Sequence, residues 1–76
     1  MKSEPEVNAE RFALELETLG LAAPARLADV KQRFRQLAKE FHPDRYQRAS
    51  ESARRRAEQI FVRVTAAYRA ILAGTR

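Results

Sequence analysis

The 76-residue chain has no cysteine and no tryptophan, and it has only one histidine and two glycines. It therefore forms no disulfide, and a single histidine with no cysteine does not supply the ligand set of a structural zinc site. No apolar run approaches the ~20 residues that a membrane-spanning helix needs, and residues 1–8 lack the apolar stretch of a signal peptide. These absences predict one small, soluble, cytoplasmic domain that is held together by apolar packing, with no cofactor and no metal.

Charge is distributed unevenly along the chain, whose net charge is +5. Residues 1–20 contain two basic and five acidic residues, whereas residues 21–76 contain thirteen basic and five acidic residues. A cationic surface of this kind attracts an anionic partner, which is either nucleic acid or an acidic protein face. Composition does not distinguish these two partners, so the distinction depends on particular residues.

Apolar residues recur at steps of three and four positions in three segments, which predicts three helices and no strands. The expected ranges are about 9–19 for helix one, about 27–41 for helix two and about 52–73 for helix three. Residues 1–8 form a polar lead-in, Asn8 is expected to cap helix one, and Gly20 is expected to end it. The simplest architecture is an all-α domain over residues 9–74, in which helices two and three form an antiparallel hairpin and the shorter helix one packs on it.

Large apolar side chains on these stripes are the predicted core. The aromatic members are Phe34, Phe41, Phe61 and Tyr68. They are expected to be core residues and not a ligand site, because a chain of this size has few other large side chains to bury. Leu14 lies off the stripe of helix one and is predicted to be a scattered surface leucine, with a contact to missing sequence as the alternative.

The tripeptide His42-Pro43-Asp44 lies where helix two ends and the polar loop of residues 42–51 begins. Pro43 has no amide hydrogen, and it disfavours the helical conformation of the residue before it, so His42 is expected to lie outside the helix. The result is an exposed bend that displays an imidazole and a carboxylate. The alternative is an incidental histidine before a helix-breaking proline, with Asp44 as an ordinary turn residue.

Lys31, Arg35 and Lys39 recur every four residues on helix two, so they share a face that points away from its apolar stripe. Like charges at this spacing repel by about a few tenths of a kcal/mol each, which favours use of the face by a partner. An ordinary solvated face is the alternative for this basic row. Its position beside the His-Pro-Asp tripeptide favours a functional interpretation.

A second basic cluster, Arg54-Arg55-Arg56, lies near the start of helix three. Glu51 precedes Arg55 by four residues, and Glu58 follows Arg54 by four residues. This spacing predicts a solvated, ion-paired helix start, with a partner site as the alternative.

These blocks resemble the J domain, the module with which Hsp40 (DnaJ-family) co-chaperones engage an Hsp70. The resemblance covers roughly residues 12–72. Its blocks are Leu19-Gly20-Leu21, the run from Val30 to Phe41, His42-Pro43-Asp44-Arg45, and the helix-three residues Phe61, Val64, Ala67, Tyr68 and Ile71. Several independent blocks in the right order make this resemblance specific.

The resemblance implies a monomeric module that is not an enzyme, binds a DnaK-type Hsp70 and stimulates its ATP hydrolysis. The basic row would dock on an acidic region of the Hsp70 nucleotide-binding domain, and the tripeptide would engage the zone that joins this domain to its linker. The implied Hsp70-binding residues are Lys31, Arg35, Lys39, His42, Pro43, Asp44 and Arg45. No small-molecule substrate and no membrane are implied, and the chain is expected to be a fragment, since a J domain alone has no client-binding surface.

A small basic helical nucleic-acid-binding domain is the main alternative. The outer positions of helix three are mixed and lack base-reading chemistry, which weakens that alternative. An adaptor with a J-like fold that no longer stimulates Hsp70 is a further alternative. Catalysis has no support from the residues, because no metal cluster, paired acids or activated nucleophile is recognisable.

Overall fold

Helices dominate the structure, a computed structural model that describes residues 6–75. The elements in chain order are α1 (Ala13–Thr18), α2 (Leu27–Glu40), a 3₁₀ helix (Pro43–Tyr46) and α3 (Glu51–Gly74). Within residues 6–75 no strand forms, although an isolated antiparallel bridge pairs Glu6 with Arg26. Helix α3 packs against both α1 and α2. The predicted all-α fold, a helical hairpin with a shorter N-terminal helix, is confirmed.

Helix α1 is shorter than predicted, because the turn before it is irregular. The expected start was residue 9, but residues 9–12 form turns and the regular helix begins at Ala13. Asn8 Oδ1 accepts hydrogen bonds from the amides of Glu10 and Arg11, both at 3.0 Å. A side chain that bonds nearby backbone in this way competes with helical hydrogen bonding. Asn8 therefore caps the turn of residues 9–12 and not α1 itself, whose N-cap is Phe12 without a side-chain cap, and the predicted range of helix one is too long.

Val7 belongs to the core, although it was predicted to be part of a polar lead-in. Its amide donates a hydrogen bond to the carbonyl oxygen of Ala25 at 2.8 Å, and both residues are buried. This pairing holds the start of the described chain against the connection between α1 and α2. The prediction of a polar lead-in is wrong at Val7, and residues 1–5 of that lead-in lie outside the described residues.

Gly20 ends helix one as predicted, with a positive φ of 72°. The Gly20 amide bonds to the carbonyl of Glu17, and the Leu21 amide bonds to that of Leu16, both at 2.9 Å. This pair of bonds is a Schellman motif, which favours glycine at the left-handed position. The adjacent carbonyl of Leu19 accepts a hydrogen bond from Arg33 Nε at 2.8 Å. The end of α1 is thereby fastened to the middle of α2.

Side chains also cap the two long helices at their N-termini. The Asp29 carboxylate accepts a hydrogen bond from the Arg26 amide at 3.0 Å, and Ser50 Oγ accepts one from the Ala53 amide at 3.2 Å. Such bonds satisfy amides that have no partner within their helix. The chain direction into α2, and out of the loop into α3, is therefore determined by local polar contacts.

The buried core lies between α3 and the other two helices. Its members are Val7, Phe12, Leu16, Leu19, Ala25, Val30, Leu37, Val64, Ala67 and Ile71. Phe34 and Tyr68 stack with their ring centroids 4.0 Å apart, and together with Phe41 they pack against this core. Phe61 lies outside the cluster, so its prediction as a core residue is wrong. Leu14 is 75% exposed, as expected for a surface leucine.

Candidate functional site: the His-Pro-Asp corner

The corner, His42-Pro43-Asp44, begins immediately after α2. Phe41 is the C-cap of α2, and His42 has an extended backbone with φ −62° and ψ 134°. Pro43 is the first residue of the 3₁₀ helix, where the missing amide hydrogen leaves no bond unmade. The predicted departure of His42 from the helix is present in the structure.

One nitrogen of the His42 ring is used inside the corner. Nδ1 accepts a hydrogen bond from the Asp44 amide at 3.2 Å, so the imidazole caps the 3₁₀ helix. Nδ1 also lies 3.7 Å from Asp44 Oδ2. Because Nδ1 is an acceptor, the neutral ring carries its proton on Nε2. The corner therefore fixes both the tautomer and the orientation of the imidazole.

Phe61 of α3 supports the other side of the His42 ring. The two ring centroids are 5.7 Å apart and the planes meet at 82°, which is an edge-to-face contact. Periodicity alone did not reveal this role, since Phe61 and its neighbour Ile60 both lie near the apolar face of α3. The structure packs Ile60 against the core and leaves Phe61 outside it. Two adjacent residues on a helix point in different directions, so two large apolar neighbours were the sequence signal that one of them faces away from the core.

The Asp44 carboxylate is the most accessible chemical group of the corner. Its side chain is 79% exposed, compared with 51% for His42. Asp44 Oδ2 lies 3.7 Å from His42 Nδ1, which is an acceptor in the neutral ring, and within the part of the chain that the structure describes the Asp44 oxygens accept no hydrogen bond. A charged acceptor with unused lone pairs is suited to bind a cationic donor of a partner.

The 3₁₀ helix folds back over the C-terminal end of α2. Arg45 Nη1 donates to the Lys39 carbonyl oxygen at 3.5 Å, and the Tyr46 hydroxyl donates to the Glu40 carbonyl oxygen at 3.3 Å. These carbonyls belong to the last turn of α2, where backbone acceptors have no partner within the helix. Arg45, which was predicted to bind a partner, thus contacts its own helix end, and the role of Tyr46 was not predicted.

The basic row extends along α2 toward the corner. Lys31 is partly buried, while Arg35 and Lys39 are exposed. Successive members are separated by about 6 Å along the helix axis, because each residue rises ~1.5 Å. No ion pair neutralises these three side chains within residues 6–75. Since the Lys39 carbonyl accepts from Arg45, the row and the corner meet at the same end of α2.

The cluster Arg54-Arg55-Arg56 has a mixed environment. Arg55 Nη2 lies 2.9 Å from Glu51 Oε1 on the helix surface, as the spacing predicted. The expected pair of Arg54 with Glu58 is not formed among the described residues. Arg56 lines a cleft of about 410 Å³ with Phe41 and Tyr46. Part of the cluster therefore faces the loop and not only solvent.

Residues 6–75 contain neither a metal-binding cluster nor a membrane-spanning helix. No group of three or more His, Cys, Asp or Glu residues there lies close enough together to hold a metal ion. No helix of this part of the chain is long and apolar enough to cross a membrane.

The fold and the site define a class of protein: a three-helix domain whose basic second helix ends in an exposed His-Pro-Asp corner. The family model of the DnaJ domain matches residues 16–74, which is most of the chain. The chain belongs to the DnaJ domain family. The resemblance inferred from the residues is confirmed.

Two curated relatives are longer proteins that match this chain over a small part of their length. The chain is 38% identical over 52 residues to the chaperone protein DnaJ of Mycoplasma genitalium. The aligned region covers 68% of this chain and 13% of that protein. It is 33% identical over 55 residues to the translocation protein sec63 of Schizosaccharomyces pombe. This second aligned region covers 72% of this chain and 9% of that protein. No solved structure matches the chain significantly. The match thus spans only about a tenth of each relative.

Proposed function

We propose that this domain is an Hsp70 co-chaperone module that stimulates ATP hydrolysis through the His-Pro-Asp corner. The observation that carries the proposal is the Asp44 carboxylate, 79% exposed at the end of a basic helix in a DnaJ domain. An exposed carboxylate of this kind can accept two parallel hydrogen bonds from a partner arginine. The proton on Nε2 makes His42 a donor toward the same partner.

The basic row supplies the second part of the proposed interface. Lys31, Arg35 and Lys39 dock on an acidic region of the Hsp70 nucleotide-binding domain. Charges that attract over long range raise the rate of encounter, whereas short-range contacts determine which encounters are productive. The row therefore steers a DnaK-type Hsp70 toward the corner, and the corner determines stimulation.

The domain itself performs no chemical step in this proposal. It binds more tightly to the Hsp70 conformation that is poised for hydrolysis, and so shifts a conformational equilibrium of its partner. Such a shift requires only a difference in affinity between two states, which exposed side chains can supply. We place this activity in the cytoplasm, where a DnaK-type partner would be available, with the domain acting as a monomer.

Single-turnover ATP hydrolysis by a DnaK-type Hsp70, with and without this chain, tests the proposal. The parent is expected to raise the rate constant, and Asp44→Asn is expected to leave it at its basal value. Glu17→Gln is the matched control, since it neutralises an exposed carboxylate on α1. Full stimulation by the Asp44→Asn variant would show that stimulation does not depend on the corner. Duplex DNA binding without any stimulation by the parent would favour the nucleic-acid alternative.

A further inference from the structure

Tyr46 is attached to two elements that flank the corner. Its hydroxyl donates to the Glu40 carbonyl oxygen at 3.3 Å, at the end of α2. Its ring lines a cleft of about 410 Å³ with Phe41 of the α2 cap and with Ala53, Arg56 and Ala57 of α3. Tyr46 thus connects the 3₁₀ helix to the end of one long helix and to the start of the other.

Apart from the edge-to-face contact of the His42 ring with Phe61 of α3, the corner has few other restraints of its own. Within the described residues, the 3₁₀ helix is bonded through the Arg45 amide to the His42 carbonyl at 3.0 Å and through the Asp44 amide to His42 Nδ1 at 3.2 Å. Both bonds are internal to the loop, so neither fixes the loop relative to the helices. The Arg45 guanidinium reaches the Lys39 carbonyl oxygen at 3.5 Å, and the Tyr46 hydroxyl reaches the Glu40 carbonyl oxygen at 3.3 Å; both bonds are long, but only Tyr46 also lines the cleft against α3.

We infer that Tyr46 is a positioning residue for the His-Pro-Asp corner. Its hydroxyl and its ring hold the 3₁₀ helix across the end of α2, and this sets the direction in which Asp44 and His42 face a partner. The inference rests on the proposed function for its consequence, because orientation matters only if the corner binds. The attachment itself is a property of the isolated domain and is measurable without any partner.

Two substitutions separate the hydroxyl from the ring. Tyr46→Phe removes only the bond to Glu40, and Tyr46→Ala also empties the ring's place in the cleft. Tyr68→Phe is the matched control: it removes the other tyrosine hydroxyl of the described chain, which donates no hydrogen bond there, and keeps the ring stacked on Phe34. Circular dichroism of each variant checks that the three helices remain.

Amide hydrogen exchange measured by NMR tests the attachment. Exchange of the Asp44 and Arg45 amides is expected to be about two- to tenfold faster in Tyr46→Phe, the factor that loss of one neutral hydrogen bond makes in an equilibrium. A larger increase is expected in Tyr46→Ala and none in Tyr68→Phe. Parent-like exchange in both Tyr46 variants would overturn the inference, whether or not any Hsp70 responds.

Hsp70 stimulation tests the consequence. The maximal stimulated rate is expected to fall in both Tyr46 variants, while the concentration that gives half of this maximum changes little, because the basic row still docks. An unchanged maximum alongside faster exchange would show that the attachment has no positioning role. A lower maximum with parent-like exchange would mean that Tyr46 acts by touching the partner, which also contradicts the inference. If the parent itself gives no stimulation, the proposed function fails, and exchange still decides the attachment.

Discussion

The junction between α1 and α2 and the corner at the end of α2 differ in how tightly they are held. At the junction, the Arg33 bond to Leu19 measures 2.8 Å and the backbone bonds of Gly20 and Leu21 measure 2.9 Å, next to the buried side chains of Leu16 and Leu19. At the corner end, the bonds made by Asp44, Tyr46 and Arg45 measure 3.2, 3.3 and 3.5 Å, and all are exposed. The first region supports the fold, and the second leaves the side chains of the proposed partner site exposed.

Under the proposed function, stability and partner recognition are carried by separate parts of a very small molecule. Exposed surface changes usually alter stability by no more than about 0.5 kcal/mol, whereas core changes cost several times more. Residues of the corner can therefore be selected for binding with little effect on folding. The predictions below test this separation, beginning with the largest expected effect.

Phe12→Ala is expected to unfold a large fraction of the molecules. Phe12 is 5% exposed, and its ring lies so close to Gly74 that a Cβ on that glycine would overlap it. Loss of a buried phenylalanine costs about 3–5 kcal/mol, while a domain of this length has about 4–11 kcal/mol in total. Thermal unfolding followed by circular dichroism measures the effect. A melting temperature near that of the parent would show that the α1–α3 contact is not a core contact.

Phe34→Ala and Phe61→Ala compare a ring of the core with a ring of the site. Phe34→Ala is expected to be the more destabilising, by about 1 kcal/mol, because Phe34 packs against the buried core whereas Phe61 lies outside it, and each ring loses one aromatic partner. Phe61→Ala is expected to change the NMR signals of the His42 ring instead. Equal melting temperatures of the two variants, with unchanged NMR signals of the His42 ring in Phe61→Ala, would show that Phe61 is a core residue.

Gly20→Ala tests the tightly held junction between α1 and α2 at one position. Its φ of 72° is unfavourable for alanine, and the new methyl would lie 3.3 Å from Arg33 Nη2. A left-handed conformation costs a non-glycine residue about 1–2 kcal/mol. The melting temperature is expected to fall by roughly 4–16 °C, with Hsp70 stimulation retained at temperatures where the domain is folded. A loss of stimulation in the folded variant would show that the junction and the corner are coupled.

Reversal of Lys31, Arg35 and Lys39 to Glu tests the basic row without disturbing the core. Association with Hsp70 is expected to slow by about tenfold or more at low salt, and its salt dependence should become weaker. Stopped-flow binding at several salt concentrations measures both quantities, and circular dichroism checks helicity. If the triple variant associates at the parental rate, the docking face lies elsewhere.

The sequence predicted features that depend on neighbouring residues better than features that depend on distant ones. Gly20, Asn8 and Pro43 act within a few positions of their own place in the chain, so their residue types alone indicated a helix stop, a cap and a bend. The bond from Arg33 to Leu19 spans 14 residues, and no local pattern encodes it. The same holds for the backbone bond that brings Val7 into the core.

The candidate site was predictable in its members but not in its construction. The residue types at 42–44 indicated an exposed imidazole and carboxylate, and the spacing indicated a basic row on the same helix. Helical periodicity places a residue only to within one ~100° step around the axis, so it did not separate Phe61 from the core residues beside it. The hydrogen bond from the Tyr46 hydroxyl depends on how the loop folds back over the end of α2, and the sequence of one segment does not predict this.

The most direct test of the separation between fold and function is the free energy of unfolding of Asp44→Asn, measured by urea denaturation beside its stimulation of Hsp70. The substitution keeps the size of a side chain that is 79% exposed. The free energy is expected to stay within about 0.5 kcal/mol of the parent, while stimulation is lost. A variant that loses stability in step with stimulation would contradict the account, because the corner would then be part of what holds the domain together.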